Sequence, residues 1–349
     1  MMGTEELREL AASLPDSVRG ILKPDAPVVV TGCAGFIGST LTEALLELGC
    51  RVTGVDVLTD YYDPDLKREN MASFRDHSHF QFRQEDLQEL DPVELLAGQV
   101  ACFHLAAQAG VRASWGDYFN EYLGRNVMAT QRLLEACRKP EVKQSLRRLV
   151  YSSSSSVYGD QDSLPVTETA LPQPRSPYGV TKMAAEHMCV LYSQNFGVPT
   201  SSLRYFTVYG PRQRPDMAFR KFIEAALDGQ EFSVYGDGSQ TRDFTFVLDA
   251  VRSNLLAVAC ERDWEVFNTG GGSRVVFGEA LELLTGLLKQ KVPGIDPVVK
   301  YQETALGDVK DTFADRTHVE RTIGYRPTVS FKEGLAREVD WAIARRNRG

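Results

Sequence analysis

Val28-Val29-Val30-Thr31-Gly32-Cys33-Ala34-Gly35-Phe36-Ile37-Gly38 passes from an apolar β-branched run, through closely spaced glycines, into a stretch with helical character. The run reads as a buried strand, and the glycine-rich segment after it reads as a turn leading straight into a helix. Glycines at 32, 35 and 38 leave out the side chains that would keep the backbone and the helix N-terminus away from a pyrophosphate. Asp56 closes the next apolar run, where a carboxylate can accept hydrogen bonds from an adenosine ribose. Together these features read as a dinucleotide site. The Asp56 carboxylate would also repel a 2′-phosphate, which favours NAD over NADP.

Outward from this turn, short Val/Ile/Phe runs alternate with longer amphipathic stretches, the pattern of a parallel sheet covered by helices. The strands are predicted at Val28 to Thr31, Arg51 to Asp56, Phe80 to Gln84, Val100 to Leu105, Arg148 to Ser152 and Ser201 to Phe206. Helices are predicted near Ile37 to Leu48, Pro64 to Phe74, Tyr118 to Arg138 and Tyr178 to Phe196. Beyond Gly210, prolines and glycines break the rhythm, so the sheet is expected to be complete by then. The expected fold is α/β: a Rossmann-type doubly wound parallel sheet with a smaller C-terminal substrate-binding α/β cap. Residues 1–25 form an extension, 26–210 the NAD-binding Rossmann domain with the catalytic residues, and 211–349 mainly the substrate-binding domain, with room for segments that return to the first. Within the extension, Thr4 to Leu14 reads as a short amphipathic helix that packs or makes a dimer contact.

Composition narrows the function classes. A chain of 349 residues with 43% hydrophobic and 25% charged residues can bury a full core. The formal net charge of -8 and the lack of a long Lys/Arg run speak against nucleic-acid or anionic-membrane partners. No apolar run reaches the roughly 18 residues of a spanning helix, and the N-terminus has no secretory pattern. Six scattered cysteines without a CxxC pair read as buried free thiols in a reducing cytoplasm. The five histidines form no ligand pattern, so no metal site is expected.

The chemistry concentrates around Tyr178-Gly179-Val180-Thr181-Lys182, where a four-residue separation puts Tyr and Lys on one helical face. This segment follows a strand that runs out through Tyr151-Ser152-Ser153-Ser154-Ser155-Ser156-Val157-Tyr158-Gly159, at the mouth where the dinucleotide would lie. A tyrosine with its usual pKa of about 10 is a poor base at neutral pH. A nearby ammonium lowers that value, and a serine hydroxyl can hold the reacting oxygen. Tyr178 is therefore the candidate base, with Lys182 tuning it and holding the cofactor ribose.

The GxxGxxG spacing and the Tyr-x-x-x-Lys pair resemble the extended short-chain dehydrogenase/reductases, the NAD-dependent epimerase/dehydratase family. The resemblance implies that Phe36, Ile37, Asp86, Leu87, Leu105, Ala106, Ala107, Tyr205 and Val208 join Gly32, Gly35, Gly38, Asp56, Tyr178 and Lys182 around tightly held NAD. It also selects Ser154, four residues before the Tyr of Val-Tyr-Gly, as the catalytic serine.

Asp60-Tyr61-Tyr62-Asp63-Pro64, His104 through Arg112, Phe206-Thr207-Val208-Tyr209-Gly210-Pro211 and Arg214-Pro215-Asp216-Met217-Ala218 look specifically like UDP-glucuronate 4-epimerases. This implies oxidation at C4, turnover of a 4-keto sugar and return of hydride to its other face, with no net redox change. Thr207 stands where galactose-type relatives usually carry Asn. With Ser155, Ser156 and Arg214 it could bind a C5 carboxylate, although Arg214 could equally anchor a loop or touch a phosphate. The resemblance places Arg242 on the diphosphate, Asp308 on the ribose and Val234-Tyr235 by the uracil; family members often have an Arg shortly before the Gly-Asp pair, where this chain has Thr304-Ala305-Leu306, so the phosphate grip would rely on Arg242 alone, or on Arg112 or Arg212. A neutral UDP-glucose or UDP-N-acetylglucosamine remains open as substrate. Decarboxylases of the family usually carry Glu next to the catalytic Ser/Thr and dehydratases Asp-Glu, where this chain has Ser155 and Ser156, which favours epimerisation. A catalytically silent NAD-binding regulator would not need Ser154, Tyr178 and Lys182 intact. Family members commonly form homodimers through the two long helices beginning here near Tyr118 and Tyr178.

Overall fold

In the computed structural model, which describes residues 4–303 and 309–347, the opening valine run is strand β1 (Pro27–Thr31), and successive side chains enter opposite sides of a sheet. Val28 and Val30 pack in a core with Leu41 and Leu45, whereas Val29 joins a second core with Leu133 and Cys189. A strand buried on both faces needs this continuous apolar run. The remaining strands are β2 (Arg51–Val55), β3 (Phe80–Arg83), β4 (Ala101–His104), β5 (Arg148–Ser154) and β6 (Thr200–Tyr205). With a seventh strand, Trp264–Thr269, they form one parallel sheet in the order Trp264–Thr269, β6, β5, β4, β1, β2, β3.

The seventh strand corrects the expectation that the sheet ends by Gly210. Trp264–Thr269 pairs along its length with β6, from Trp264 opposite Thr200 to Thr269 opposite Tyr205. The chain leaves the sheet after β6, builds smaller elements, and returns because the edge of β6 would otherwise expose an unpaired row of backbone groups. Other departures are local. The helix from Pro64 stops at Met71, and the stretch predicted as one helix from Tyr118 is segmented. It runs as a tight 3-10 turn at Gly116–Tyr118, a short α-turn at Phe119–Tyr122, a wide π-turn at Leu123–Met128 and an α-helix at Ala129–Cys137.

The N-terminal extension is α1 (Thr4–Ala12) and α2 (Asp16–Ile21). Leu7, Leu10, Leu14, Val18 and Leu22 are buried in the same core as helix α3 (Phe36–Glu47), the helix that follows the glycine turn. Arg8 reaches Glu47 at 3.0 Å, and Arg337 reaches Glu6 at 2.7 Å. The extension is therefore a packing element that braces the outside of the dinucleotide-binding helix. Among the described residues, no helix is long and apolar enough to cross a membrane. We expect Leu10→Ala to cost about 2–5 kcal/mol, toward the lower end because a terminal helix can settle into the gap. The check is a shift in the denaturant midpoint with an unchanged slope.

Candidate active site

Parallel register brings the carboxyl ends of the strands to one edge: Thr31 lies opposite His104, His104 opposite Tyr151, and Ser154 opposite Tyr205. β1 and β4 are the neighbours at which strand order reverses, the place where open α/β sheets bind ligands. Gly32 has a φ of +73°, and a Cβ there would come within 2.8 Å of the Ala106 amide nitrogen. At Gly38 a Cβ would fall on the Gly32 carbonyl. The turn after β1 thus lies against the loop after β4, and both positions require glycine.

The cleft above this contact has a volume of about 1190 Å³ including its mouth. Gly32, Gly35, Phe36, Ile37, Gly38, Asp56, Asp86, Leu87, Leu105, Ala106 and Ala107 all line it, as do Tyr178, Lys182, Tyr205 and Arg214. Asp56 accepts from the Ala34 and Leu58 amides at 3.1 and 2.9 Å, so its carboxylate is oriented at the cleft floor. Burial raises its pKa while Lys67 opposes the rise. A cradle that tolerates no Cβ, a helix N-terminus and an oriented carboxylate fit a dinucleotide. Val208 does not line the cleft. It belongs to a two-residue strand, Val208–Tyr209, paired with Thr245–Phe246, and its side chain is in the core because strand pairing turns it inward.

The Tyr178–Lys182 segment is placed by local structure. Ser176 caps the helix Pro177–Phe196 by accepting from the Gly179 amide at 3.1 Å, and Pro177 occupies the first turn. A Cβ on Gly179 would sit 2.6 Å from the Ser156 carbonyl oxygen, so this helix start is pressed onto the turn Ser155–Val157 that follows β5. The contact sets Tyr178 beside Ser154. Burial pushes the Tyr178 phenol above its ordinary pKa, while the Arg214 charge and the Ser154 hydrogen bond pull it back. Lys182 behaves differently from expectation. Its ammonium donates to the Ser152 carbonyl at 2.8 Å, and burial lowers its pKa to about 7. In the protein alone, the cation that acts on the phenol is Arg214.

β5 runs two residues longer than predicted, so Ser152 and Ser153 are strand residues on opposite faces. Ser152 shares a 3.2 Å hydrogen bond with the Tyr205 hydroxyl. Ser153 donates at 2.6 Å to Glu186, which Arg204 clamps from the buried side, and Arg204 also donates to Tyr158 at 2.7 Å. The π-turn supplies another tie. Asn126 donates to the Gln108 carbonyl at 3.1 Å and to Thr181 at 3.0 Å, joining the loop after β4 to the Tyr178 helix.

A second cavity adjoins the far side of the Ser154 turn. Ser155, Ser156, Thr207 and Arg242 line it together with Arg175 and Thr312. Arg242 also donates to the Thr241 and Lys310 carbonyls at 2.8 Å, so backbone groups hold its guanidinium. Arg112 stacks on the Tyr235 ring with its guanidinium carbon 4.1 Å from the ring centre. Two expected contacts are overturned. Val234 is buried in the core because it alternates inward along its strand, and Arg212 is committed to Glu43 through hydrogen bonds of 2.8 and 2.9 Å. Asp308 and the preceding Thr304-Ala305-Leu306 lie outside the described residues.

Sequence reasoning missed Thr59, Tyr61, Tyr62, Lys67, Gln108 and Arg125 at the first cavity and Arg175 at the second. For Tyr61 and Tyr62 a signal was present in the Asp60-to-Pro64 segment. Arg175 stands three residues before Tyr178. Arg125 carried no signal, because its place depends on the π-turn.

Residues 29–338 match the family described as GDP-mannose 4,6 dehydratase. The chain is 39% identical over 318 residues to an uncharacterized UDP-glucose epimerase, YtcB, of Bacillus subtilis, covering 89% of this chain and 96% of the relative. It is 35% identical over 318 residues to a UDP-glucuronate 4-epimerase of Thermodesulfobacterium geofontis, covering 90% and 95% of the two chains. Among solved structures, UDP-glucuronic acid 4-epimerase from Bacillus cereus in complex with UDP-glucuronic acid and NAD superposes with a TM-score of 0.84 at 40% identity, covering 91% of this chain and 99% of that one. With the glycine turn, the Tyr178–Lys182 pair and the seven-stranded sheet all in place, the chain belongs to the extended short-chain dehydrogenase/reductases of the NAD-dependent epimerase/dehydratase family.

Proposed function

We propose that this protein is a NAD-dependent UDP-sugar 4-epimerase that interconverts UDP-glucuronate and UDP-galacturonate. The observation that carries the reading is that Tyr178 lines a dinucleotide cleft together with Lys182 and Arg214, while Ser155 and Ser156, next to Ser154 in the chain, line a second cavity with Thr207 and Arg242. We propose that residues 26–210 supply catalysis and, apart from Arg214, the first cavity, and that residues 211–349 serve mainly the nucleotide-sugar side.

NAD, when bound, supplies a reversible hydride acceptor for C4. Tyr178 as the phenolate removes the proton from the 4-hydroxyl and, as the phenol so formed, returns it after the sugar has turned, so the sugar keeps every atom and only its C4 configuration changes. Ser154 hydrogen-bonds the reacting oxygen and Lys182 holds the cofactor ribose. Thr207, Ser155, Ser156 and Arg214 receive the C5 carboxylate, Arg242 and Arg112 the diphosphate, and Tyr235 the uracil side. Asp308 is assigned to the ribose on the resemblance alone. No Asp or Glu lines the second cavity among the described residues. This favours epimerisation over decarboxylation or dehydration, which need an additional acid or base.

We also propose a cytoplasmic homodimer. All six cysteines are buried and free, which suits a reducing compartment. Leu123, Met128, Val180, Leu191 and Phe196 are exposed on the two helical segments that would form the interface. A sedimentation mass near 38.8 kDa at micromolar concentration, the mass of one chain, would remove the dimer.

NMR of the purified enzyme with UDP-glucuronate should show the C4 epimer appear without carbon dioxide. A pentose product would replace the reading with a decarboxylase, and conversion of UDP-glucose alone would replace the sugar. Tyr178→Phe should abolish turnover and leave bound NAD in place, as seen by absorbance after denaturation. Because a base must lose its own proton before it works, kcat/KM rises with pH through the phenol's apparent pKa. Arg214 lowers that pKa, so Arg214→Gln should move the acid limb of the profile to higher pH while raising KM for UDP-glucuronate more than for UDP-glucose.

A further inference from the structure

Arg214 is poised in the first cavity by a device that the catalytic assignment does not use. Its Nε donates to Oδ1 of Asp216 at 3.0 Å, and its Nη2 donates to Oδ2 at 3.0 Å, a two-pronged pair. The Tyr61 hydroxyl donates to the same Oδ2 at 3.3 Å. Tyr61 and Arg214 line the cleft that holds Tyr178, and Asp216 stands behind them. The Tyr61 hydroxyl lies close against Gly110, whose φ is +102° and where a Cβ would strike that oxygen.

The geometry divides the guanidinium. Nε and one hydrogen of Nη2 face Asp216, which leaves the Nη1 edge of the planar fork for a second carboxylate. A guanidinium held on one edge loses little freedom when an anion binds the other, so its contribution to binding is not spent on ordering the side chain. Electrostatics agrees. Burial alone would raise the Asp216 pKa, but the Arg214 charge and hydrogen bonds hold it below its ordinary value, so the clamp stays ionised at neutral pH. Burial and the Asp216 charge push the Tyr61 phenol up to about 12, so it remains a hydrogen-bond donor.

We propose that Asp216, braced by Tyr61, is a positioning residue that presents the outer edge of Arg214 to the substrate carboxylate and so sets the preference for an acidic over a neutral sugar. The inference rests on the reading of the site as one for UDP-glucuronate. It differs from a competitive role, in which Asp216 would hold Arg214 away from substrate.

The test uses the NAD-loaded full chain, with KM measured for UDP-glucuronate and the inhibition constant measured for UDP-glucose. For Asp216→Asn we expect KM for UDP-glucuronate to rise about ten- to hundred-fold, the scale of one charge-assisted hydrogen bond, with the UDP-glucose constant within about two-fold, which is under 0.5 kcal/mol. Asp216→Glu should recover part of the loss. In an Arg214→Ala background, Asp216→Asn should change nothing further, since residues acting through one another are not additive. Equal losses for the two nucleotide sugars, additive losses in the double variant, or tighter UDP-glucuronate binding by Asp216→Asn would each overturn the assignment. A wild-type enzyme that is active on UDP-glucose and silent on UDP-glucuronate would overturn the substrate reading and this inference with it. An active wild type combined with any of the preceding results would overturn the Asp216 role alone.

Discussion

The contact between the start of the Pro177–Phe196 helix and the turn after β5 is the constraint on which the chemistry depends. Gly179 has no side chain to hold the Ser156 carbonyl away, and Ser176 satisfies the Gly179 amide in the helix's first turn. Any larger residue at 179 would lift Tyr178 from Ser154 and tilt Lys182 away from the Ser152 carbonyl. In the proposed reaction the phenol and the serine must meet one oxygen together, and this backbone approach sets how they stand to each other. The sheet makes the approach possible, because parallel register ends β5 and β6 at the same level as β1 and β4.

Beneath that contact lies a buried ionic layer. Arg204 and Glu186 are almost wholly removed from solvent; Ser153 donates to Glu186, and the Tyr158 hydroxyl accepts from Arg204 and donates to Asn268. Burying a charge pair contributes little net stability, but removing one partner is strongly unfavourable. The layer therefore acts as a register pin. It joins β5, β6, the returning Trp264–Thr269 strand and the Tyr178 helix in one arrangement, and it keeps Ser153 from competing with Ser154 as a partner for the reacting oxygen.

The same dryness shapes the electrostatics. Withdrawal from water raises the phenol of Tyr178 and lowers the ammonium of Lys182, in each case favouring the neutral form. Arg214 keeps its charge in that setting because Asp216 balances it. The protein thus holds one permanent cation beside the Tyr178 phenol, and a second group, Lys182, whose ammonium form burial disfavours.

Periodicity and local chemistry determined much of this in advance. The valine run, the three glycines and Asp56 specify a strand, a close phosphate approach and a ribose acceptor through contacts within one βαβ unit, and short-range spacing is enough to read them. The Tyr178–Lys182 pair is likewise a property of a single helix. What the tertiary structure decided are the relations between segments distant in the chain. They include the return of Trp264–Thr269 to the edge of β6 and the π-turn that brings Arg125 to the cleft. They also include the burial of Val208 and Val234, and the commitment of Arg212 to Glu43 rather than to a ligand. The physical reason is the same in each case. A side chain's partner depends on which surface the fold brings opposite it, and sequence spacing carries no information about that surface.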